Sequence, residues 1–222
     1  MTFFAPLRVV TPMLQHTLIA WTLFFSTPID TSPPEVPMNT TAETQTPTTW
    51  QIDPAHTQIG FVVKHMMFAK VRGAFNEFTG SIVQGENGDL AGGSFSATIQ
   101  TSSVDTGNAD RDGHLRSGDF FDSDNFPTIT FTSTTVERVA EGQLTVTGQL
   151  TIRDVTKTVT LDVSETGTGV DPWGNMRIGI QAEGTINRKE FGLMWNQALE
   201  AGGVLVGDEV TLTIEAQAVA QG

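Results

Sequence analysis

The sequence predicts an all-β protein whose strands close into an antiparallel barrel, with one short helical connection. Three observations predict it. Apolar and polar residues alternate with period two along most of the chain after Trp50, the pattern of strands with one buried face. Clusters of turn-forming residues separate the alternating runs. No stretch sustains a helical period. Counting the runs gives about eight strands. Each must hide its apolar face; closing the sheet does so and removes exposed edges. A two-sheet sandwich is the competing solution.

The runs follow one another along the chain. Ile59, Phe61 and Val63 share a face, as do Val71, Gly73 and Phe75, with Ile82 after Gly80. Phe95, Ala97 and Ile99 are interleaved with Ser94, Ser96 and Thr98, and Ile129 and Phe131 lie between threonines. Leu144, Val146, Leu150 and Ile152 come next, then Val159, Leu161 and Val163. Met176, Ile178, Ile180, Ala182 and Ile186 precede the last run, Val210, Leu212, Ile214 and Ala216. Turns are predicted at Glu86-Asn87-Gly88-Asp89, Glu141-Gly142, Arg153-Asp154 and Asp171-Pro172-Trp173-Gly174. Between Gly107 and Gly118 one or two helical turns are expected, capped by Asp105 or Thr106.

A barrel of this size is filled by its own side chains or holds one small ligand. Small inward residues, Gly73, Ala97, Gly148, Ala182 and Gly184, are expected to leave room. Phe61, Val63, Phe75, Phe95, Ile99, Ile129, Phe131, Leu150 and Met176 share the apolar parity of their strands and are the expected lining. The opposing expectation is a filled core without a cavity.

Composition narrows the function. The chain has 14 Phe, 4 Trp and no Tyr, a supply of aromatics suited to burial. A net charge of -13 repels phosphate backbones, which argues against general nucleic-acid binding. With no cysteine, disulfides, thiolate catalysis and cysteine-based zinc sites are excluded.

Residues 1–49 differ from the body at 50–218. Thr17 to Phe25 is a short apolar run, shorter than the ~20 residues of a membrane span. Two readings stand: a signal-peptide core and export, or a true start at Met38 and a cytoplasmic protein. Residues 26–49 are rich in Pro, Thr and Ser and are expected to form a disordered linker.

Polar candidates are few. Lys64, His65, Lys70 and Arg72 form a basic group that would suit a phosphate or carbonyl head group, or would simply pair with carboxylates. Asn108, Asp110, Asp112, Gly113 and Asp119 fall on calcium-loop positions, but the flanks are β-like and position 12 is the shorter Asp. His56, His65 and His114 lack any metal-ligand spacing. Ser-His-Asp ingredients are present without a nucleophile elbow. No catalytic residue and no metal site is therefore assigned. Trp173 and Trp195 read as strand-end anchors or cavity gates.

An ordered set of motifs then enters. Trp50-Gln51-Ile52-Asp53-Pro54-Ala55-His56, Val63-Lys64-His65-Met66-Met67 and Val71-Arg72-Gly73-Ala74-Phe75 open it. His114-Leu115-Arg116-Ser117, Asp119-Phe120-Phe121-Asp122 and Phe126-Pro127-Thr128 follow, and Phe191-Gly192-Leu193, Trp195-Asn196 and Val206-Gly207-Asp208-Glu209 complete it. Together they closely resemble the YceI-like polyisoprenoid-binding family across residues 50–218. The resemblance implies an eight-stranded lipocalin-like barrel with an extended apolar cavity. It implies a non-catalytic carrier or store of an amphiphilic isoprenoid, such as a polyprenyl phosphate or quinone-type lipid, with no cofactor beyond that cargo. A homodimer is a further implication. His65, Arg72, Arg111 and His114 are then the candidates for the head group. An enzyme acting on a small apolar substrate in the same cavity, and a ligand-free structural barrel, are the alternatives.

Overall fold

The computed structural model describes residues 47–200 and 202–221. The expectations for the signal run, Met38 and most of the linker lie outside them. Among the described residues eleven strands form: β1 (Thr49–Ile52), β2 (Gln58–His65), β3 (Ala69–Phe75), β4 (Phe78–Val83), β5 (Ser94–Gln100), β6 (Val104–Asp105), β7 (Thr128–Ala140), β8 (Gln143–Ile152), β9 (Val155–Val170), β10 (Met176–Asn187) and β11 (Val206–Gln221). β1 begins at Thr49, a residue expected in the linker. An α-helix, α1 (Ala109–Arg116), joins β6 to β7. No helix among the described residues is long and apolar enough to cross a membrane.

The strands close. The circuit β1-β4-β5-β7-β8-β9-β10-β11 returns to β1, eight strands paired antiparallel throughout. The remaining three strands continue positions of that circuit. β11 pairs with β2 from Val206 to Glu215 and with β1 from Ala218 to Gln221. β1 and β2 are thus two halves of one bent strand. β3 and β4 run beside them in the same way, as do β5 and β6.

The first bend has a local cause. Pro54 has no N–H for the ladder, and a 3-10 turn at Pro54–His56 follows Asp53, whose carboxylate accepts from the Ala55 N–H at 3.0 Å. Each bend lets the sheet curve without leaving a long exposed edge.

The expected turns form, and so does the helix, but its cap is Asn108. The Asn108 side chain accepts from the Arg111 N–H at 3.0 Å. Thr106, one of the two expected caps, instead donates its N–H and hydroxyl to the buried Asp112, at 2.9 and 2.6 Å. Asn108 and Asp112, two of the calcium-loop positions, are thus engaged in holding the helix start.

The barrel's two ends differ. At the first end lie the β2–β3 turn, α1 and the connection from β10 to β11. At the second lie the β4–β5, β7–β8 and β9–β10 turns. Trp50, Leu90, Val136, Leu144, Ile178 and Ala218 are buried and pack the second end solid. Arg177 braces that end, reaching Asp53 at 2.6 Å and Asp171 at 2.8 Å.

Candidate functional site

Between the packed second end and the first end lies a cavity of about 230 Å³. Every strand position of the circuit contributes to its wall, because period-two alternation turns one residue in two inward. Of the expected lining, Phe61, Val63, Phe75, Phe95, Ile99, Ile129, Phe131 and Leu150 all face it. Met176 does not. It has the right parity, but it opens β10 opposite Val170 at the second end, beyond the plug, and is 43% exposed. The filled-core expectation fails, since a continuous apolar space is present.

The small residues act in two ways. Ala97 and Ala182 face the cavity. The glycines do not leave the room expected of them. The ring of Phe61 lies over Gly73, that of Phe131 over Gly148, and the side chain of Leu161 over Gly184. Each glycine lets a large cross-strand neighbour lie flat along the wall.

Several wall residues come from connections that strand parity does not reach. Leu115 on α1, Phe120 and Phe121 after it, and Leu193 after β10 close over the cavity at the first end. The signal is there: Asp119-Phe120-Phe121-Asp122 places two large apolar residues in an otherwise polar connection. Phe121 meets Phe75 edge-on with centroids 5.6 Å apart, and Phe75 meets Phe61 at 5.8 Å. A continuous aromatic seam therefore links α1's connection to β2.

Arg188 is the one charged residue in the wall among the described residues. It is 3% exposed, and its burial pulls its pKa down, against the attraction of Asp208. Its Nε donates to Gly207 O at 2.9 Å. Nη1 donates to Leu193 O at 2.5 Å and Trp195 O at 2.9 Å. Nη2 reaches Val206 O and Asp208 Oδ1, each at 3.4 Å. All five guanidinium donors are thus engaged, and the side chain ties the β10–β11 connection down. No His, Asp or Glu stands in the wall among the described residues.

None of the head-group candidates stands in the wall. His65 ends β2 opposite Val206 and Ala69. Arg72 is exposed on β3. Arg111 is held by Thr106, through Nε to Oγ1 at 2.7 Å and Nη2 to the carbonyl at 3.0 Å. His114 packs against Phe120, a residue of the wall. Its Nε2 lies 3.0 Å from Asp119 Oδ2, and its ring meets Phe120 at 5.1 Å and Trp195 at 4.6 Å edge-on. Trp195 is thus a packed anchor beside the cavity, whereas Trp173 is 79% exposed at the far end.

Comparison with known proteins agrees with this architecture. A family model described as the YceI-like domain matches residues 50–218. UPF0312 proteins of Staphylococcus aureus strains USA300 and MSSA476 are 41% and 40% identical over 171 residues, 77% of this chain and 96% of theirs. The crystal structure of BcnA from Burkholderia cenocepacia superposes with a TM-score of 0.65 at 25% identity, covering 75% of this chain and 98% of that one. A YceI protein from Campylobacter jejuni gives 0.60 at 28% identity, covering 72% and 90%. A polyisoprenoid-binding domain from Saccharophagus degradans, implicated in plant cell wall breakdown, shares the fold with a TM-score of 0.56 at 18% identity, covering 78% and 98%. On the match across residues 50–218, the chain belongs to the YceI-like family.

Proposed function

We propose that the barrel binds and shields the apolar tail of an amphiphilic isoprenoid lipid, as a carrier or store and without chemistry on it. The observation that carries this reading is the cavity, whose wall is apolar apart from the hydroxyls of Thr57, Thr79, Ser81 and Ser96 and an arginine whose donors are all engaged. A cavity enzyme needs an acid, base or nucleophile facing its substrate. The wall's lack of imidazole and carboxylate favours binding. The fold is also that of a domain described as polyisoprenoid-binding.

Magnitudes support an apolar cargo. Burying one methylene is worth about 0.8 kcal/mol, so a five-carbon unit contributes about 4 kcal/mol before entropy losses. A dry cavity of about 150 Å³ takes a benzene ring. At about 230 Å³, this one holds about two five-carbon units by the same measure. A longer tail, and its head group, would pass the first end once the cover of Leu115, Phe120, Phe121 and Leu193 parts, beside His114 and Trp195.

The test is native mass spectrometry of the purified chain, followed by extraction with organic solvent. A co-purifying lipid with five-carbon repeats, lost from Phe61→Asp and Phe131→Asp, is the expected result. A lipid-free protein that also fails to take up added polyprenols overturns the proposal.

A further inference from the structure

The β2–β3 turn carries an arrangement that barrel stability does not call for. Three residues, Met66, Met67 and Phe68, join His65 to Ala69, and they are 39%, 60% and 82% exposed. Met66 and Met67 both have positive φ, 52° and 69°. Tight hairpins place Asn or Gly at such positions, because a Cβ is strained there. This turn holds two methionines in that conformation and presents a phenylalanine beside them. Met194, 61% exposed, lies in the connection whose Leu205 carbonyl accepts from the Met66 N–H at 2.8 Å.

The flank of the tip is basic. Lys64 and Lys70 stand directly opposite each other on β2 and β3, and both are exposed. Like charges so placed repel. From Pro54 to Asn76 there is no carboxylate in the sequence, although the whole chain carries -13. Among the described residues, Lys64, Lys70 and Arg72 form no ion pair; Arg138, Arg153, Arg177, Arg188 and Lys189 do, and Arg111, Arg116 and Lys157, outside this turn, do not. An exposed apolar tip ringed by unneutralised cations matches an anionic bilayer: apolar side chains enter the acyl boundary and ammonium groups meet phosphates. A symmetric contact with a second copy would bring the two basic flanks together, which disfavours that occupant. The tip also adjoins the cavity, since Val63 and Val206 line it and His65 pairs with Val206.

We propose that Met66, Met67 and Phe68, flanked by Lys64, Lys70 and Arg72, dock the barrel onto anionic lipid surfaces with its first end facing the bilayer. This goes beyond cargo binding and is tested separately from it.

The chain has no cysteine, so one introduced by Phe68→Cys or Val139→Cys takes a single environment-sensitive fluorophore. Val139 is 64% exposed at the second end and serves as the control. The labelled full-length proteins are mixed with vesicles of phosphatidylcholine, alone or with an equal part of phosphatidylglycerol. The label at 68 should shift to the blue and be quenched by bilayer-embedded quenchers with the anionic vesicles, and the label at 139 should not. Adding Lys64→Glu with Lys70→Glu should weaken vesicle binding read at 68 at least tenfold, and added salt should weaken the parent. A label at 68 that stays in water overturns the proposal, whether or not the protein binds vesicles. So does a concentration-dependent blue shift without vesicles, which would assign the tip to a second copy. Docking by a protein that carries no lipid and also fails to take up added polyprenols would remove the carrier reading and leave this one standing.

Discussion

The ring of Phe131 lies across Gly148 on the neighbouring strand, so close that a β-carbon at 148 would stand 2.5 Å from its Cζ and 2.6 Å from the Thr132 carbonyl oxygen. The glycine fixes where the ring lies, and the ring forms part of the cavity wall. Gly148→Ala therefore pushes Phe131 inward. Overpacking of this kind destabilises by about 1–3 kcal/mol, measurable by urea unfolding. Combining it with Phe131→Leu should restore part of that loss, because the two sites share one space.

Of the small residues expected to leave room, Ala97 and Ala182 do open onto the cavity. A large side chain there occupies cargo space while the register of the strands is kept. Ala182→Phe should leave a folded barrel, destabilised by about 1–3 kcal/mol, and lower polyprenol uptake at least tenfold. Circular dichroism with a lipid-binding titration checks both halves.

Much of the barrel wall is legible in the amino-acid sequence, for a physical reason. Period-two alternation reports which side of a strand faces inward, so eight of the nine expected wall residues are readable from parity alone. Parity says nothing of height along the barrel axis, which is why Met176 falls outside. Nor does it see across strands. Gly73 and Gly148 read as empty space, because the rings that cover them belong to other strands. The wall residues on connections, Phe120, Phe121 and Leu193, obey no period. Arg188 gives no sign of burial, since most of its partners are backbone carbonyls, which every sequence has.

Arginine-bound carboxylates, Asp89, Asp53 and Asp171, set an acid limit on stability. Asp89 is held at about 2, chiefly by the Arg138 guanidinium, which also bonds Glu165. Asp53 is held at about 2 by Arg177 and then His56. Both folded-state values lie below the ordinary ~3.9 of an unfolded aspartate. Their contribution is therefore present above about pH 4 and is lost as pH falls toward 2. Thermal unfolding followed from pH 5 to pH 2 should show this fall. Arg138→Met should be less stable at pH 7, by at most about 1 kcal/mol because the groups are partly exposed, and should lose less on acidification.

Arg188 supplies the most demanding test of how the cavity's first end is held. Its guanidinium bonds the carbonyls of Leu193 and Trp195, in the connection that closes over the cavity, and those of Val206 and Gly207 at the start of β11. Arg188→Met keeps the stem's bulk but leaves those carbonyls without their charged donor, and hydrogen bonds to charged groups contribute about 1.5–3 kcal/mol each. A loss of at least about 3 kcal/mol is expected in urea unfolding. Arg188→Lys should rescue little, because an ammonium group cannot reproduce the planar fork. Hydrogen exchange separates this from a general loss of stability: amides between Leu193 and Val206 should exchange faster than those of β7 and β8. Uniform acceleration across the barrel would show that Arg188 supports the whole fold rather than this connection.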